Sequence, residues 1–213
     1  MFFEEHRPHP ALRNCIRCYW TLAIPAPRAV QKDHRFLAEG VQLAFNLADP
    51  IEPVGTAGEA LTPHRSCICG PMTTPMRIRT FGRMELLGVC FRPGRAHPFI
   101  SCPAGDLTNK CIRTNDILDY GAMQIVERVL KDCHTTDERI IILDLHFLHR
   151  LEKGVNKDLS TAAAADRIET NRGRVNIYNL AKSVGWSNRQ LERRFKERIG
   201  MSPKQLCRNV RFK

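Results

Sequence analysis

The segment from Val184 to Leu206, VGWSNRQLERRFKERIGMSPKQL, contains the signals for two helix starts and one helix stop. Ser187 is followed three residues later by Gln190, which predicts a capping box, and Gly200 is typical of the residue just after a helix. The Ser202-Pro203 pair predicts a second helix start, with proline where its missing N–H costs nothing. This spacing allows only short helices, so we expect an all-α C-terminal region.

A further short helix is predicted directly upstream. Its apolar residues recur at i, i+3, i+4 and i+7, and Gly185 closes it; these residues are Ile177, Leu180, Ala181 and Val184. The helix that begins after Ser187 repeats the pattern with Leu191, Phe195 and Ile199. Two short helices joined by a tight turn and packed through such faces form a helix-turn-helix.

The positive charge of the chain is concentrated in the same region. The chain has a net charge of +11, and residues 166–213 contain 13 Lys and Arg against 4 Asp and Glu. Because the segment is patterned as well as basic, it favours contact with double-stranded DNA over a solvated tail. Five polar side chains are predicted to face outward near the start of the second helix, where such motifs read the major groove: Asn188, Arg189, Glu192, Arg193 and Lys196.

Residues 1–110 are predicted to form a β-rich barrel or sandwich. Val41, Leu43, Phe45 and Leu47 alternate with smaller or polar residues, and Met76, Ile78 and Thr80 alternate with two arginines. We expect this domain to enclose a ligand-sized cavity lined by the inward face of strands such as 41–47. The expected fold class is therefore α+β, with a cupin-like N-terminal domain, a helical linker and a C-terminal helix-turn-helix unit.

Residues 111–165 are predicted to be a helical linker or dimerisation region, and residues 166–213 the helix-turn-helix unit. One linker helix is expected behind Thr114 as its cap, with Leu118, Ala122, Ile125 and Val129 on its inner face. A second is expected behind a capping box of Thr135 and Glu138, with Ile141, Leu145 and Leu148 inward and Gly154 as its stop. Residues 160–169 are predicted to form a third helix.

The C-terminal sequence resembles the first helix-turn-helix of AraC-type bacterial transcription regulators. The resemblance rests on an LxRxFK pattern followed by GxSP and a later arginine, which here are Leu191, Arg193, Phe195, Lys196, Gly200, Ser202, Pro203 and Arg211. The stretches CYW, VQLAFNLADP, CGPMTTP and LLGVCFRPGRAHPFI resemble the sensor region of one subgroup. The resemblance implies a homodimeric regulator controlled by a small effector, with residues 1–110 as its sensor or dimerisation domain and RNA polymerase as a candidate partner. It also implies a second helix-turn-helix unit after a connecting helix, so we expect the sequence to be a fragment that ends inside that helix.

The alternatives concern the front domain and its thiols. The nine cysteines are expected to be reduced, and zinc binding by Cys15, Cys18, His64, Cys67 and Cys69 stays open. The other function classes are a cupin-like metal-dependent enzyme and a protein- or RNA-interaction module, but no catalytic motif is present, so we expect no enzyme and no cofactor. Neither a signal peptide nor a long apolar run is found, so we expect a cytoplasmic protein without a membrane partner.

Overall fold

The structure is a computed structural model that describes residues 1–26, 32–54, 64–114, 120–153 and 159–212. Strands dominate the first half and helices the second, which confirms the α+β fold class. The strands are β1 (Phe2–His6), β2 (Ile16–Ile24), β3 (Lys32–Phe36), β4 (Gln42–Asn46), β5 (Ile51–Val54), β6 (Ser66–Cys69), β7 (Met76–Thr80), β8 (Met84–Phe91) and β9 (Cys111–Arg113). The helices are α1 (Tyr120–Asp132), α2 (Thr136–Lys153), α3 (Leu159–Thr170), α4 (Ile177–Ser183), α5 (Asn188–Ile199) and α6 (Pro203–Arg211), and two 3₁₀ helices span Pro10–Leu12 and Ala104–Leu107.

The strands form two antiparallel sheets. The larger has the order β1-β2-β8-β4-β6-β9, and the smaller has the order β3-β7-β5. One apolar cluster joins the larger sheet to α1 and α2, and another, built around Trp20, Ile78, Met84 and Leu86, joins the two sheets. The larger sheet is therefore covered on both faces, by helices on one side and by the smaller sheet on the other.

The alternation predicted for residues 41–47 is confirmed. Leu43 is buried against the side chains of α1 and α2. Phe45 and Leu47 of the same inward face line a cavity of about 340 Å³ together with Glu127 of α1. The side chains of the helices therefore cover the middle of the strand, and a cavity of the size of a small-molecule site lies at its end.

The two linker helices exist, but their predicted inner faces are wrong. Ile125, Ile141 and Leu145 are 65%, 57% and 60% exposed, whereas the buried positions are Met123, Val126, Leu130, Ile140, Leu143 and Phe147. Both helices carry apolar residues on more than one side, and periodicity alone does not say which side meets the sheet. The Thr135–Glu138 capping box is confirmed by hydrogen bonds in both directions. Leu118 and Gly154 lie outside the described residues.

The Thr114 side chain is buried at the edge of the described part of the chain. Its hydroxyl contacts the Ser66 hydroxyl and lies 3.4 Å from a carboxylate oxygen of Glu127. Residues 115–119 lie outside the described residues, so the helix start predicted behind Thr114 stays a prediction.

The C-terminal helices share one apolar cluster that also includes α3. Ala164, Ala165 and Ile168 of α3 are fully buried against Leu191 and Phe195 of α5. The predicted boundary between residues 165 and 166 falls inside α3, so we propose that the C-terminal unit begins at Leu159. Among the described residues, none of the helices is both long and apolar enough to cross a bilayer.

A test of the sheet packing is available at Gly88, which pairs with Trp20 across β2 and β8. A methyl group on Gly88 would overlap the Trp20 indole, whereas one on Gly40 would meet nothing within 4 Å. We expect Gly88→Ala to lower the free energy of unfolding by about 1–3 kcal/mol through overpacking. Gly40→Ala, the matched control, should change it by less than about 0.5 kcal/mol. Guanidinium denaturation measures both, and equal effects would show that the indole is not held against β8.

Candidate nucleic-acid interface

The start and end of α5 are fixed by local interactions that the sequence predicts. The Gln190 amide donates to the Ser187 hydroxyl at 3.2 Å, and the Ser187 amide donates to the Gln190 side chain at 2.8 Å. At the other end Gly200 has a φ of 83° and its amide bonds back to the carbonyls of Phe195 and Lys196. Ser202 and Gln205 form a second capping box at the start of α6. The helix-turn-helix predicted from spacing is therefore present in α4 and α5.

The five predicted reading residues lie on one side of α5. Asn188, Arg189, Arg193 and Lys196 are exposed, and Glu192 is half-buried. Four of the five line one shallow surface groove together with the cap residues; the groove consists of Ser187, Arg189, Gln190, Glu192, Arg193 and Lys196. Such a face offers two guanidinium groups that can bond guanine edges, and an ammonium group suited to phosphate.

Several other basic side chains of the unit have intramolecular partners. The Arg194 guanidinium lies 6.0 Å from the centre of the Trp186 ring, and the Lys182 ammonium lies 4.6 Å from the centre of the Tyr178 ring. Cation–π contacts at these distances restrict side chains without removing their charge. The most exposed positive charge of α5 therefore lies on the groove side chains Arg189, Arg193 and Lys196.

The acidic residues of α3 pair with arginines of the front domain. Glu169 accepts hydrogen bonds from Arg17 and from Arg92, the latter at 3.4 Å, and Asp166 accepts one from Arg95 at 2.6 Å. Residues 166–213 contain only four acidic side chains, and two of them are used in this way. Half of the acidic side chains of residues 166–213 therefore face the front domain, and the remainder of that segment is strongly basic.

The C-terminal end of α5 rests on the 3₁₀ helix Ala104–Leu107. A Cβ atom at Gly105 would lie 2.6 Å from the Lys196 carbonyl oxygen, and one at Gly200 would lie 2.8 Å from the Ala104 carbonyl oxygen. The Thr108 hydroxyl donates a hydrogen bond of 2.8 Å to the Gly200 carbonyl. Backbone therefore meets backbone here, which fixes the position of α5 more closely than contacts between long side chains would.

A cavity of about 640 Å³ lies between β5 and β7 of the smaller sheet and β6 and β9 of the larger one. Its wall includes Asn109, Lys110 and Cys111, which directly follow Thr108 in the chain. Asn109 has a left-handed φ of 58°, and its side-chain oxygen accepts hydrogen bonds from the amide and hydroxyl of Thr73 at 2.7 and 3.0 Å. The volume is in the range of small-molecule sites.

The cysteines depart from the sequence expectation. Cys69 and Cys111 pair across β6 and β9 and form a disulfide, with their Cα atoms 4.1 Å apart, so the expectation of reduced thiols is wrong for this pair. Cys67 lies beside them, and burial raises the pKa of its thiol to about 11. Sequence reasoning missed Cys111 because 42 residues separate it from Cys69 and only the strand pairing joins them.

Zinc binding by the five residues that the sequence analysis left open is only partly supported, because the structure brings only some of them together. Cys67 and Cys69 belong to a group with Cys111, but Cys15 and Cys18 are elsewhere: Cys18 pairs with Cys90 across β2 and β8. A hydrogen bond to Cys90 raises the pKa of the Cys18 thiol, as does burial. His64 lines the same cavity as Cys67 without belonging to the sulfur group.

The chain is similar to several known proteins. A family described as "Domain of unknown function (DUF6597)" matches residues 4–113. No curated protein sequence matches the chain. Similar solved structures include the apo form of a ToxT variant from Vibrio cholerae strain SCE256, with 8% identity over 90% of this chain and 79% of that chain and a TM-score of 0.49. They also include the AraC-like transcriptional activator CuxR, with 13% identity over 90% of this chain and 74% of that chain and a TM-score of 0.35. An RmlC-like cupin protein from Desulfovibrio desulfuricans has 16% identity over 41% of this chain and 78% of that chain, with a TM-score of 0.29.

The contact between α5 and the front domain can be tested with two glycines of similar conformation. Gly185 and Gly200 have φ values of 72° and 83°, but only Gly200 has neighbours that a Cβ would strike. We expect Gly185→Ala to cost about 1–2 kcal/mol of unfolding free energy from the left-handed backbone alone. Gly200→Ala should cost roughly a further 1–3 kcal/mol from the collision with Ala104 and Pro71. Equal losses in chemical denaturation would mean that α5 does not rest on residues 104–107 in solution.

Proposed function

Since the chain belongs to the family defined by the domain of unknown function DUF6597, whose description states no activity, we propose its function from the geometry of α5. We propose that it is a cytoplasmic DNA-binding transcription regulator of AraC type that reads the major groove with α5. The observation that carries this proposal is the groove of Arg189, Glu192, Arg193 and Lys196 on a capped helix whose opposite face is fully buried. In a helix-turn-helix, this is the part of the second helix that reaches base edges.

The roles of the individual side chains follow from their chemistry. We assign Arg189 and Arg193 to base edges, because a guanidinium can donate two hydrogen bonds to guanine O6 and N7. Asn188 and Glu192 suit adenine and cytosine in the same way, and Lys196 suits a phosphate. The resemblance of residues 180–212 to AraC-type regulators supports the same assignment.

The alternative of a single-stranded RNA module has less support. Such modules stack unpaired bases on exposed aromatic faces. In the C-terminal unit Phe195 is buried, Trp186 has Arg194 over its ring, and Tyr178 has Lys182 over its ring. Phe212 is exposed, but it follows α6 and is not part of the α5 groove. We also propose a regulator rather than an enzyme. The feature that favours a regulator is the exposed basic face of α5, which suits binding to DNA.

Effector control is proposed to act through the cavity of about 640 Å³. The segment Thr108–Cys111 connects the cavity to α5. Lys110 and Cys111 line the cavity, and the Thr108 hydroxyl donates a hydrogen bond to the Gly200 carbonyl at the end of α5. A small molecule that moves this segment would therefore change where α5 is held. The other proposed partner, RNA polymerase, stays a prediction.

A homodimer is proposed through α2. Ile141 and Leu145 are one helical turn apart and more than half exposed, so they form an apolar stripe on the outer face of the helix. Two exposed large aliphatic side chains on one stripe favour association with a second copy of the chain. Dimerisation would present two α5 helices to one DNA site.

The DNA-reading proposal predicts different effects for arginine and lysine substitutions on α5. Duplexes enriched from a random pool by the 213-residue chain serve as the specific ligand, and a scrambled duplex serves as the reference. We expect Arg189→Ala or Arg193→Ala to cost about 1–3 kcal/mol on the enriched duplex only. Lys196→Ala should weaken both duplexes equally and lower the slope of log affinity against log salt by roughly one. Fluorescence anisotropy at several salt concentrations measures both quantities.

The matched control is Arg128→Ala, which removes an exposed arginine from α1. It should leave both affinities unchanged, because α1 is not part of the proposed interface. If Arg189→Ala and Arg193→Ala lowered both affinities equally and reduced the salt slope as Lys196→Ala does, α5 would be a basic clamp and not a reader.

For the dimer, we expect Leu145→Glu to raise the dimer dissociation constant by roughly 10- to 100-fold, the equivalent of about 1.5–3 kcal/mol for one buried leucine. Asn179→Glu, which introduces the same charge at an exposed position of α4, is the control and should change it little. Sedimentation equilibrium measures the constant. A wild-type chain that stays monomeric at high concentration, or a dimer that tolerates Leu145→Glu, would rule out this interface.

A further inference from the structure

Three cysteine sulfurs meet on one side of the β6–β9 pair. Cys67 and Cys69 are two residues apart on β6 and therefore project from the same face. Cys111 is the direct partner of Cys69 on β9, and the Sγ atoms of all three residues lie within 4.8 Å of one another. Among the described residues this is the one group of three or more such side chains with ligand atoms close enough for a metal ion.

The spacing of these sulfurs fits a thiolate metal site. Two sulfurs bound to one tetrahedral zinc ion at the usual Zn–S distance are separated by about 3.8 Å. The Sγ atoms of Cys67 and Cys69 are 3.8 Å apart. Cys67 and Cys69 are thus spaced as two ligands of one ion, and Cys111, opposite Cys69 on β9, is placed to supply the third once the disulfide is reduced.

The surroundings of the sulfurs also favour a bound cation with thiolate ligands. Cys67 and Cys111 line the cavity of about 640 Å³, so an ion held by them would be reached from that cavity and would keep its fourth position open to it. Three thiolates and one divalent ion carry a net charge of −1, and such a charge needs compensation in a partly buried site. Lys110 and Arg113 line the same wall, and none of its described residues is acidic.

We propose that the reduced form of Cys67, Cys69 and Cys111 binds one thiophilic divalent metal ion, with zinc as the natural occupant. The disulfide and the metal exclude each other, because the disulfide uses two of the three ligands. A dithiol reductant that becomes a cyclic disulfide supplies the two electrons and two protons that convert Cys69 and Cys111 to thiols. Each cysteine that then binds the ion releases its proton to solvent.

The test uses the 213-residue chain and Cd²⁺, whose sulfur-to-metal charge-transfer absorbance reports thiolate binding directly. One sample is reduced with a phosphine, which takes an oxygen atom from water and becomes the phosphine oxide, and is then desalted without oxygen; the other is left oxidised. We expect the reduced chain to saturate with one ion per chain, and Zn²⁺ to displace the Cd²⁺. The oxidised chain should show no such band. This comparison needs no substitution and therefore does not depend on the folding of a variant.

Substitutions then locate the site. We expect Cys67→Ser and Cys111→Ser each to weaken Cd²⁺ binding by more than the roughly 10- to 100-fold that loss of an outer-shell partner costs. Cys90→Ser is the matched control: Cys90 is also a half-buried strand cysteine beside another cysteine, Cys18, and should be dispensable. Circular dichroism establishes that each variant is folded.

The proposal is overturned if the reduced chain binds no Cd²⁺, if the oxidised chain binds it equally well, or if Cys90→Ser weakens binding as much as Cys67→Ser does. None of these readouts involves DNA. Failure of the metal site and failure of DNA reading by α5 are therefore distinguished by separate measurements.

Discussion

The close contact between the end of α5 and the 3₁₀ helix Ala104–Leu107 is the constraint on which the presentation of the basic face depends. Gly105 faces the Lys196 carbonyl and Gly200 faces the Ala104 carbonyl, so the two backbones approach without intervening side chains. Glycine permits such an approach because it has no Cβ, and at Gly200 it also permits the left-handed turn that ends the helix. Glycine thus serves two purposes here: Gly200 ends α5, and Gly105 and Gly200 together allow the end of α5 to lie against the 3₁₀ helix.

Ion pairs hold a second element of the C-terminal unit, α3, against the front domain. Residues 166–213 carry 13 basic and 4 acidic side chains, and the front domain offers Arg17, Arg92 and Arg95 at the junction. Two positively charged surfaces repel each other within a screening length of about 8 Å at physiological salt. Asp166 and Glu169 on α3 reverse that sign locally, so the unit docks through α3 while the α5 arginines remain exposed to solvent.

How much the sequence predicts depends on the range of the interaction. The capping boxes at Ser187 and Thr135 and the helix start at Ser202 are confirmed because each depends on residues at most three apart. The apolar face of α5 is confirmed because only one stripe of that helix is apolar. The predicted buried faces of α1 and α2 are wrong. On α2, Ile141 and Leu145 form an apolar stripe as regular as the buried one, and only packing against the sheet determines which stripe is buried. The Cys69–Cys111 pair was missed for a related reason: strand order is a property of the whole sheet, and neither cysteine carries a local signal of its partner.

The segment from Thr108 to Cys111 links the two regions to which we assign functions. Three peptide units span at most about 10 Å, so a shift of Cys111 cannot be absorbed over a long flexible path before it reaches Thr108. Asn109 stiffens the segment further, since its left-handed backbone is held by two hydrogen bonds from Thr73. Any ligand that repositions β9 must then either break these bonds or move the Thr108 hydroxyl, and with it the carbonyl of Gly200 at the end of α5. We therefore propose that the cavity and α5 are coupled through a few rigid backbone links, a coupling that would not require the two sheets to rearrange.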